Sequence, residues 1–376
     1  MLWLIVFAVV IIMAVLCFVY LISRFCKLNI ISKITNNKVI KILVSLGLIV
    51  AITTILCWSI GVINAIICLI HLAIIWIVCD LAFYFISKKI DLKRYYAGAL
   101  AIIITIIYLA VGWILAYNVW ETNYNIETNK NVGNLHIVQF ADSHIGTTFD
   151  GDGFSKYVNK MQKLNPDVVL ITGDFVDDDT SKEDMIKACK ALGTLNTKYG
   201  VYFAFGNHDK GYYPPENRGY DGNDLINELK KNGVTVLQDE SVLVDNRFYI
   251  VGRQDRSEVE KGGTRSDMST LVKNLDSSKY IIVMDHQPND YNNESNANVD
   301  LVLSGHTHGG QLLPINKIGQ WIGANDKTYG IEKRNNTNFI VTSGISDWAV
   351  KFKTGCKSEY VVVDIHQKKI LNKCEK

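Results

Sequence analysis

An α/β domain behind a bundle of about four transmembrane helices is the architecture that this sequence of 376 residues predicts. Three observations predict it. Hydropathy divides the chain near residue 120, with long apolar stretches before that point and mixed polarity after it. Beyond residue 134, short apolar runs of strand length alternate with amphipathic stretches of helix length, which is α/β patterning. Five of those runs, at 135–140, 168–171, 201–205, 280–284 and 299–303, each lead directly into a cluster of polar residues that can ligate metals.

Residues 2–22, 40–58, 60–86 and 97–118 are apolar stretches of about 19 to 27 residues, enough to cross about 30 Å of hydrocarbon as helices. The tightest connection falls at Trp58, Ser59, Ile60 and Gly61, which predicts a hairpin turn there. Retained cytoplasmic loops carry excess Lys and Arg. The loop after the first span holds Arg24, Lys27, Lys33, Lys38 and Lys41, and that after the third holds Lys88, Lys89, Lys93 and Arg94 against Asp91. Both are therefore expected in the cytoplasm, which places Met1 and everything after residue 118 outside it. A cleaved signal peptide at 1–22 is disfavoured, because no basic segment precedes the apolar run and no small-residue cleavage site follows it. His71 and Asp80 lie within the third stretch, where ionisable groups are costly; nine positions apart, they need not pair, and packing or interfacial placement is expected.

Residues 119–134 are polar, rich in Asn and without period, and read as a linker. Fully extended, sixteen residues reach at most about 50 Å, so the domain at 135–376 is expected close to the membrane surface. Within it, helices are expected near 153–164 and 181–196, and further strands at 234–238, 242–252, 338–343 and 359–365. Clear helices do not separate every later pair of strands, so the pattern fits a mixed sheet or two packed sheets. The Gly- and Asp-rich stretches 210–224 and 256–268 read as surface loops.

Charge and cysteine content narrow the function classes. Residues 1–120 hold nine Lys or Arg against Asp80 and Asp91, a balance of +7, and the remainder is net −5. That remainder has no basic stripe with interleaved aromatics, so nucleic acid is not an expected partner. Five cysteines (Cys17, Cys26, Cys57, Cys68, Cys79) sit in or beside apolar stretches and behave as small hydrophobes. Cys189, Cys356 and Cys374 form no C-x-x-C; buried free thiols, or one Cys356–Cys374 bridge in an oxidising compartment, are the two readings.

The five clusters are Asp142-Ser143-His144, Gly173-Asp174-Phe175-Val176-Asp177, Gly206-Asn207-His208-Asp209, Asp285-His286 and Gly305-His306-Thr307-His308. In open α/β sheets ligands bind at strand ends, so clusters spread over more than 160 positions are expected to converge. Imidazole, carboxylate and carboxamide oxygen suit Mn, Fe, Zn or Co, and the absence of thiolate argues against structural zinc. Asp142, His144, Asp174, Asn207, His286, His306 and His308 exceed the needs of one ion and suffice for two if one carboxylate bridges. Two ions about 3.5 to 4 Å apart form a clamp for in-line displacement at phosphorus, and a water between them ionises near neutral pH, so no side-chain nucleophile is required. The bland reading, cluster histidines as structural residues, would leave seven buried polar groups needing partners. Asp177, Asp178 and Asp179 read as a solvated turn, with Asp177 supporting the ligands. Tyr212, Tyr213 and Tyr220 either line an entrance or decorate a surface loop.

In order and neighbours these clusters resemble the calcineurin-like metallophosphoesterase family, in the manner of membrane-anchored bacterial members, over about residues 135–345. G-N-H-D and G-H-T-H are the more specific motifs. The resemblance implies a two-sheet β-sandwich flanked by helices. It implies one metal on Asp142, His144, Asp174 and His308, and a second on Asp174, Asn207, His286 and His306, with Asp174 bridging. His208 would approach the phosphate and assist the leaving group, and Asp209 would orient it. Phosphodiester or phosphomonoester hydrolysis at the envelope or on a lipid follows as the expected activity. A membrane sensor or scaffold that only binds through this fold, and a transporter formed by the spans, are the competing classes.

Overall fold

The computed structural model describes residues 2–91 and 94–368, with side chains from Ile11 onward; Lys93 and Cys374 lie outside the described residues. The chain forms two units, one running to Trp113 and including Ala349–Lys351, the other comprising the rest.

The first unit is helical: α1 (Leu2–Phe25), α2 (Asn29–Ile34), α3 (Lys38–Ile60), α4 (Val62–Ser87) and most of α5 (Ala97–Tyr117). Among the described residues α3, α4 and α5 are long and apolar enough to cross a membrane, and α1 is apolar over Ile11–Phe25. The count of four is therefore three clear spans plus a fourth apolar helix. The α3/α4 turn falls at Gly61, whose φ of 86° few other residues adopt readily. Asp80 accepts from the Tyr20 and Tyr95 hydroxyls at 3.0 and 2.5 Å and pairs with Arg24 at 3.0 Å. This intramembrane carboxylate is thus partnered between helices, whereas the His71 ring bonds to the Ile67 carbonyl of its own helix at 2.8 Å and lies 5.7 Å from the Tyr108 ring.

The second unit contains β1 (Val119–Thr128), β2 (Leu135–Phe140), α6 (Gly151–Gln162), β3 (Val168–Thr172), α7 (Lys182–Leu192), β4 (Val201–Ala204), α8 (Gly222–Lys231), β5 (Val234–Leu237), β6 (Glu240–Val244), β7 (Phe248–Gly252), β8 (Tyr280–Met284), β9 (Leu301–Ser304), β10 (Gly330–Arg334), β11 (Thr337–Val341) and β12 (Ser358–Gln367). They make two six-stranded sheets, ordered β1-β12-β2-β3-β4-β5 and β10-β11-β9-β8-β7-β6. Both are mixed. The runs β2 to β5 and β11-β9-β8-β7 are parallel, and antiparallel contacts occur at β12/β2, β10/β11 and β6/β7. The sheets pack face to face through Ile137, Leu170, Phe248, Ile282, Leu303 and Val363. Sequence left one mixed sheet and two packed sheets open, and two sheets are found. Helices α6, α7 and α8 cover the outer face of the first sheet through Phe154, Met185 and Leu225, each opened by a side-chain cap from Asp150, Ser181 or Asp221.

Two sequence expectations need correction, and one strand was not predicted. Residues 119–128 are not linker but strand β1, paired along all ten residues with β12. Only Ile126 is buried on it, so its polarity is that of an edge strand. The run 242–252 is two strands, divided where Asp245 and Asn246 take φ of 49° and 51°, a conformation these two types tolerate in hairpins. Strand β10 has no apolar run to mark it in the sequence, because none of its residues is fully buried.

Candidate metal centre

The five clusters meet beyond the C-terminal ends of β2, β3, β4, β8 and β9, where the parallel portions of both sheets point the same chemistry at one place. Asp142, His144 and His308 offer ligand atoms all within 4.8 Å of one another, and Asp174, His286 and His306 form a second such group. Asn207 joins the second, its Oδ1 2.8 Å from His306 Nδ1. One oxygen relates the groups: Asp174 Oδ2 lies 3.0 Å from His286 Nε2 and 3.7 Å from His144 Nε2. All seven ligand candidates of the sequence are brought together.

The local backbone shows how costly this arrangement is. Asp142, His144, Asp174, His306 and His308 all have positive φ, between 35° and 70°. Side chains with a Cβ avoid that region at about 1 to 3 kcal/mol each, and such strain collects at functional sites. Here the loops hold one another. The amides of Asp142 and His144 donate to the carbonyls of Gly173 and Asp174 at 3.0 and 3.1 Å. The His306 amide donates to the Asp142 carboxylate at 2.9 Å, and the His208 amide to Asp174 Oδ1 at 2.8 Å. A Cβ on Gly206 would collide with Asp174, and one on Gly305 with Asp142, so both glycines serve close approach.

The donor set fits divalent metal. It is nitrogen and oxygen only, since the Cys356 thiol is committed to the His308 carbonyl at 3.2 Å. His144 and His286 each have Nδ1 tied, to Asp177 at 3.0 Å and to the Thr172 carbonyl at 2.7 Å, whereas the buried Nε2 of each is turned to the shared oxygen Asp174 Oδ2, at 3.7 and 3.0 Å. Fixing one ring nitrogen while freeing the other toward a centre is how protein holds a metal-ligating histidine. Electrostatics agree. Burial opposes ionisation of Asp174, but the charges of His286 and His144 outweigh it and hold the carboxyl well below its usual range. Burial pushes Asp142 up to about 6 and His306 down to about 4. The centre thus concentrates groups that a cation would stabilise in their ligating forms.

Asp177 accepts from His144 and is itself buried, so it does not belong to a solvated turn, which describes Asp179, and its geometry is that of a residue supporting a ligand. Asp177→Asn keeps the shape but removes the charge. It is expected to weaken divalent-metal affinity by about 10- to 100-fold, as measured by calorimetric titration of the metal-stripped protein; unchanged affinity would remove Asp177 from this role.

Asp209 does not orient His208. Its carboxylate accepts from the amides of Asp174, Phe175, Val176 and Gly206 at 2.9, 2.7, 3.1 and 2.7 Å. It therefore ties the two loops together. The His208 ring instead lies 5.1 Å from each of the His144, Tyr212 and Trp348 rings, and burial lowers its pKa. Tyr212 also accepts from Asn207 Nδ2 at 2.9 Å, which turns the amide oxygen toward His306. Trp348 had no signal in sequence, because the loop after β11 carries it to the site. Asp285, neighbour to His286, pairs with Arg253 at 3.0 Å and with Arg265 and so anchors that strand end.

A model of the calcineurin-like phosphoesterases matches residues 135–310. An uncharacterized metallophosphoesterase of Aquifex aeolicus is 34% identical over 194 residues, 50% of this chain and 70% of that protein. One from Campylobacter jejuni is 30% identical over 240 residues, 62% of this chain and 60% of its own length. A Danio rerio transmembrane protein with metallophosphoesterase domain is 26% identical over 283 residues, 71% of this chain and 62% of that one. This chain thus spans about three fifths of the length of the last two. Motifs, strand-end geometry and these similarities agree: the chain belongs to the calcineurin-like phosphoesterase family.

Proposed function

We propose that this protein is a membrane-anchored phosphoester hydrolase that uses two divalent ions, with Mn, Fe and Zn the metals its ligands suit. The observation that carries the reading is the pair of ligand groups sharing Asp174. When bound, two such ions supply an acidified water and charge stabilisation for in-line displacement at phosphorus. The chain supplies the rest. Asp142, His144 and His308 on one side and Asn207, His286 and His306 on the other fix the positions, with Asp174 between. His208, held by its own amide on Asp174, faces the centre beside Tyr212 and Trp348 and protonates the leaving oxygen. The anionic oxygens of a phosphoester provide the counter-charge that burial denies it.

Three apolar helices support an anchor, and the Lys- and Arg-rich loops around residues 24–41 and 88–94 support an extracytoplasmic catalytic domain. Reporter fusions after residue 118 test the orientation, and cytoplasmic activity of the reporter reverses it. The substrate class that fits such a site is a phosphodiester or phosphomonoester of the envelope, lipid-linked forms included.

The chain loaded with Mn is expected to hydrolyse a chromogenic phosphodiester and to stop on chelation. His208→Ala is expected to retain metal and lose about 10²- to 10⁴-fold in kcat. Metal-loaded protein without turnover on a broad panel of phosphoesters sinks the enzyme reading in favour of a binding scaffold.

A further inference from the structure

Past β9 and the metal centre's last histidine, the ten positions 313–322 expose Leu313, Ile315, Ile318, Trp321 and Ile322, at 43, 50, 50, 69 and 62%. After α5, no other ten-residue stretch of the described residues exposes more than two large apolar side chains. The segment 311–325 contains Lys317 and no acidic residue. Aliphatic residues with a Trp, a Lys and no carboxylate make up the composition of an element that lies in a membrane interface.

Position in the fold selects the bilayer as the occupant. Asn118 alone separates α5, long and apolar enough to cross a membrane, from β1. The Ser358 hydroxyl donates at 2.7 Å to the Ala116 carbonyl in the last turn of α5, where helix carbonyls lack intrahelical partners. A few residues earlier, the amides of Thr354 and Gly355 donate to the Gln311 carbonyl at 2.8 and 2.9 Å, and the Leu313 amide donates to Thr354 Oγ1 at 3.0 Å. One short stretch, 354–358, therefore grips both the end of α5 and the root of the apolar segment. Four residues of extended chain reach about 14 Å, so the root of the segment cannot be far from where α5 leaves the lipid.

We propose that residues 313–322 dock into the headgroup and acyl boundary of the membrane that α5 crosses. The metal centre is tied to the same root through the Cys356 thiol on the His308 carbonyl. A phosphoester carried at the bilayer surface, a lipid headgroup, is then the substrate class presented to it. That last consequence rests on the phosphoesterase reading, whereas the docking itself does not.

The test uses the full chain in phosphatidylethanolamine and phosphatidylglycerol vesicles. An environment-sensitive fluorophore is placed at Ile322→Cys or, as a control, at Leu243→Cys, which is 41% exposed on β6; labelled wild type supplies the background. The expected result is blue-shifted emission at 322, at least about twofold stronger quenching there by doxyl lipids than at 243, and the reverse order with iodide. Equal iodide quenching at the two positions overturns the proposal. So does a blue shift at 322 that appears only as protein density rises, which would identify a second copy as the occupant. Turnover plays no part in the readout, so failure of docking and failure of the phosphoesterase reading are seen separately.

Discussion

Asp174→Ala is expected to abolish turnover and to lower bound metal in both ligand groups at once. The effect follows from the position of a single oxygen, Oδ2, which lies 3.0 Å from His286 Nε2 and 3.7 Å from His144 Nε2. Losing any other ligand weakens one group, whereas losing this one weakens both and removes the negative charge that holds two cations close together. Charge stabilisation by the ions is worth several kcal/mol of transition-state energy, and each 1.36 kcal/mol is a factor of ten. A loss on the order of a thousandfold or more is therefore expected in kcat, with metal content by elemental analysis falling in parallel. Asp174→Asn separates charge from shape, since it retains an oxygen for the His208 amide. Its metal content should fall nearly as far while thermal stability of the metal-free protein changes little. Full metal occupancy in Asp174→Asn would show that the carboxylate does not bridge.

Asp209→Ala should act on a different property, stability. The carboxylate is fully buried and accepts four backbone N–H groups from the loops that carry Asp174 and Asn207. Each buried donor left without a partner costs about 1 to 3 kcal/mol, so the four together approach or exceed about 4 kcal/mol. That is a large share of the roughly 5 to 15 kcal/mol that holds a domain folded. For a domain of this size the melting temperature should fall by roughly 8 to 16 °C, as followed by circular dichroism on the full chain, and Asp209→Asn should lie between. A variant with unchanged melting temperature and lost turnover would instead restore the orienting role toward His208.

What short-range pattern could reveal was the apolar run and the polar cluster at its end. Strands β2, β3, β8 and β9 stand where such runs predict them, because a strand buried on both faces is largely apolar. The residue types at their ends already carried the ligand chemistry. Pattern failed where burial does not decide the structure. β1 is polar because its stability comes from backbone pairing to β12, 230 or more residues away. The division of 242–252 turned on two residues that tolerate positive φ, which periodicity does not register. The resemblance implied that Asp209 orients its neighbour His208, but its carboxylate accepts four backbone amides instead. Neighbouring residues at a strand end point in different directions, and this one points back at the loops.

The sequence alone therefore determined the inventory: apolar helices, an α/β domain, and seven ligand-type residues at strand ends, because side-chain chemistry and hydrophobic period are local properties. Tertiary structure decided which atoms share a centre, that Asp174 stands between the two groups, that Asp209 supports the backbone, and that Tyr212 and Trp348 enclose His208. Those relations depend on sheet order and on loops held in left-handed backbone by one another, and site contacts such as that of His306 with Asp142, 164 residues apart, are set by packing that no local window of sequence contains.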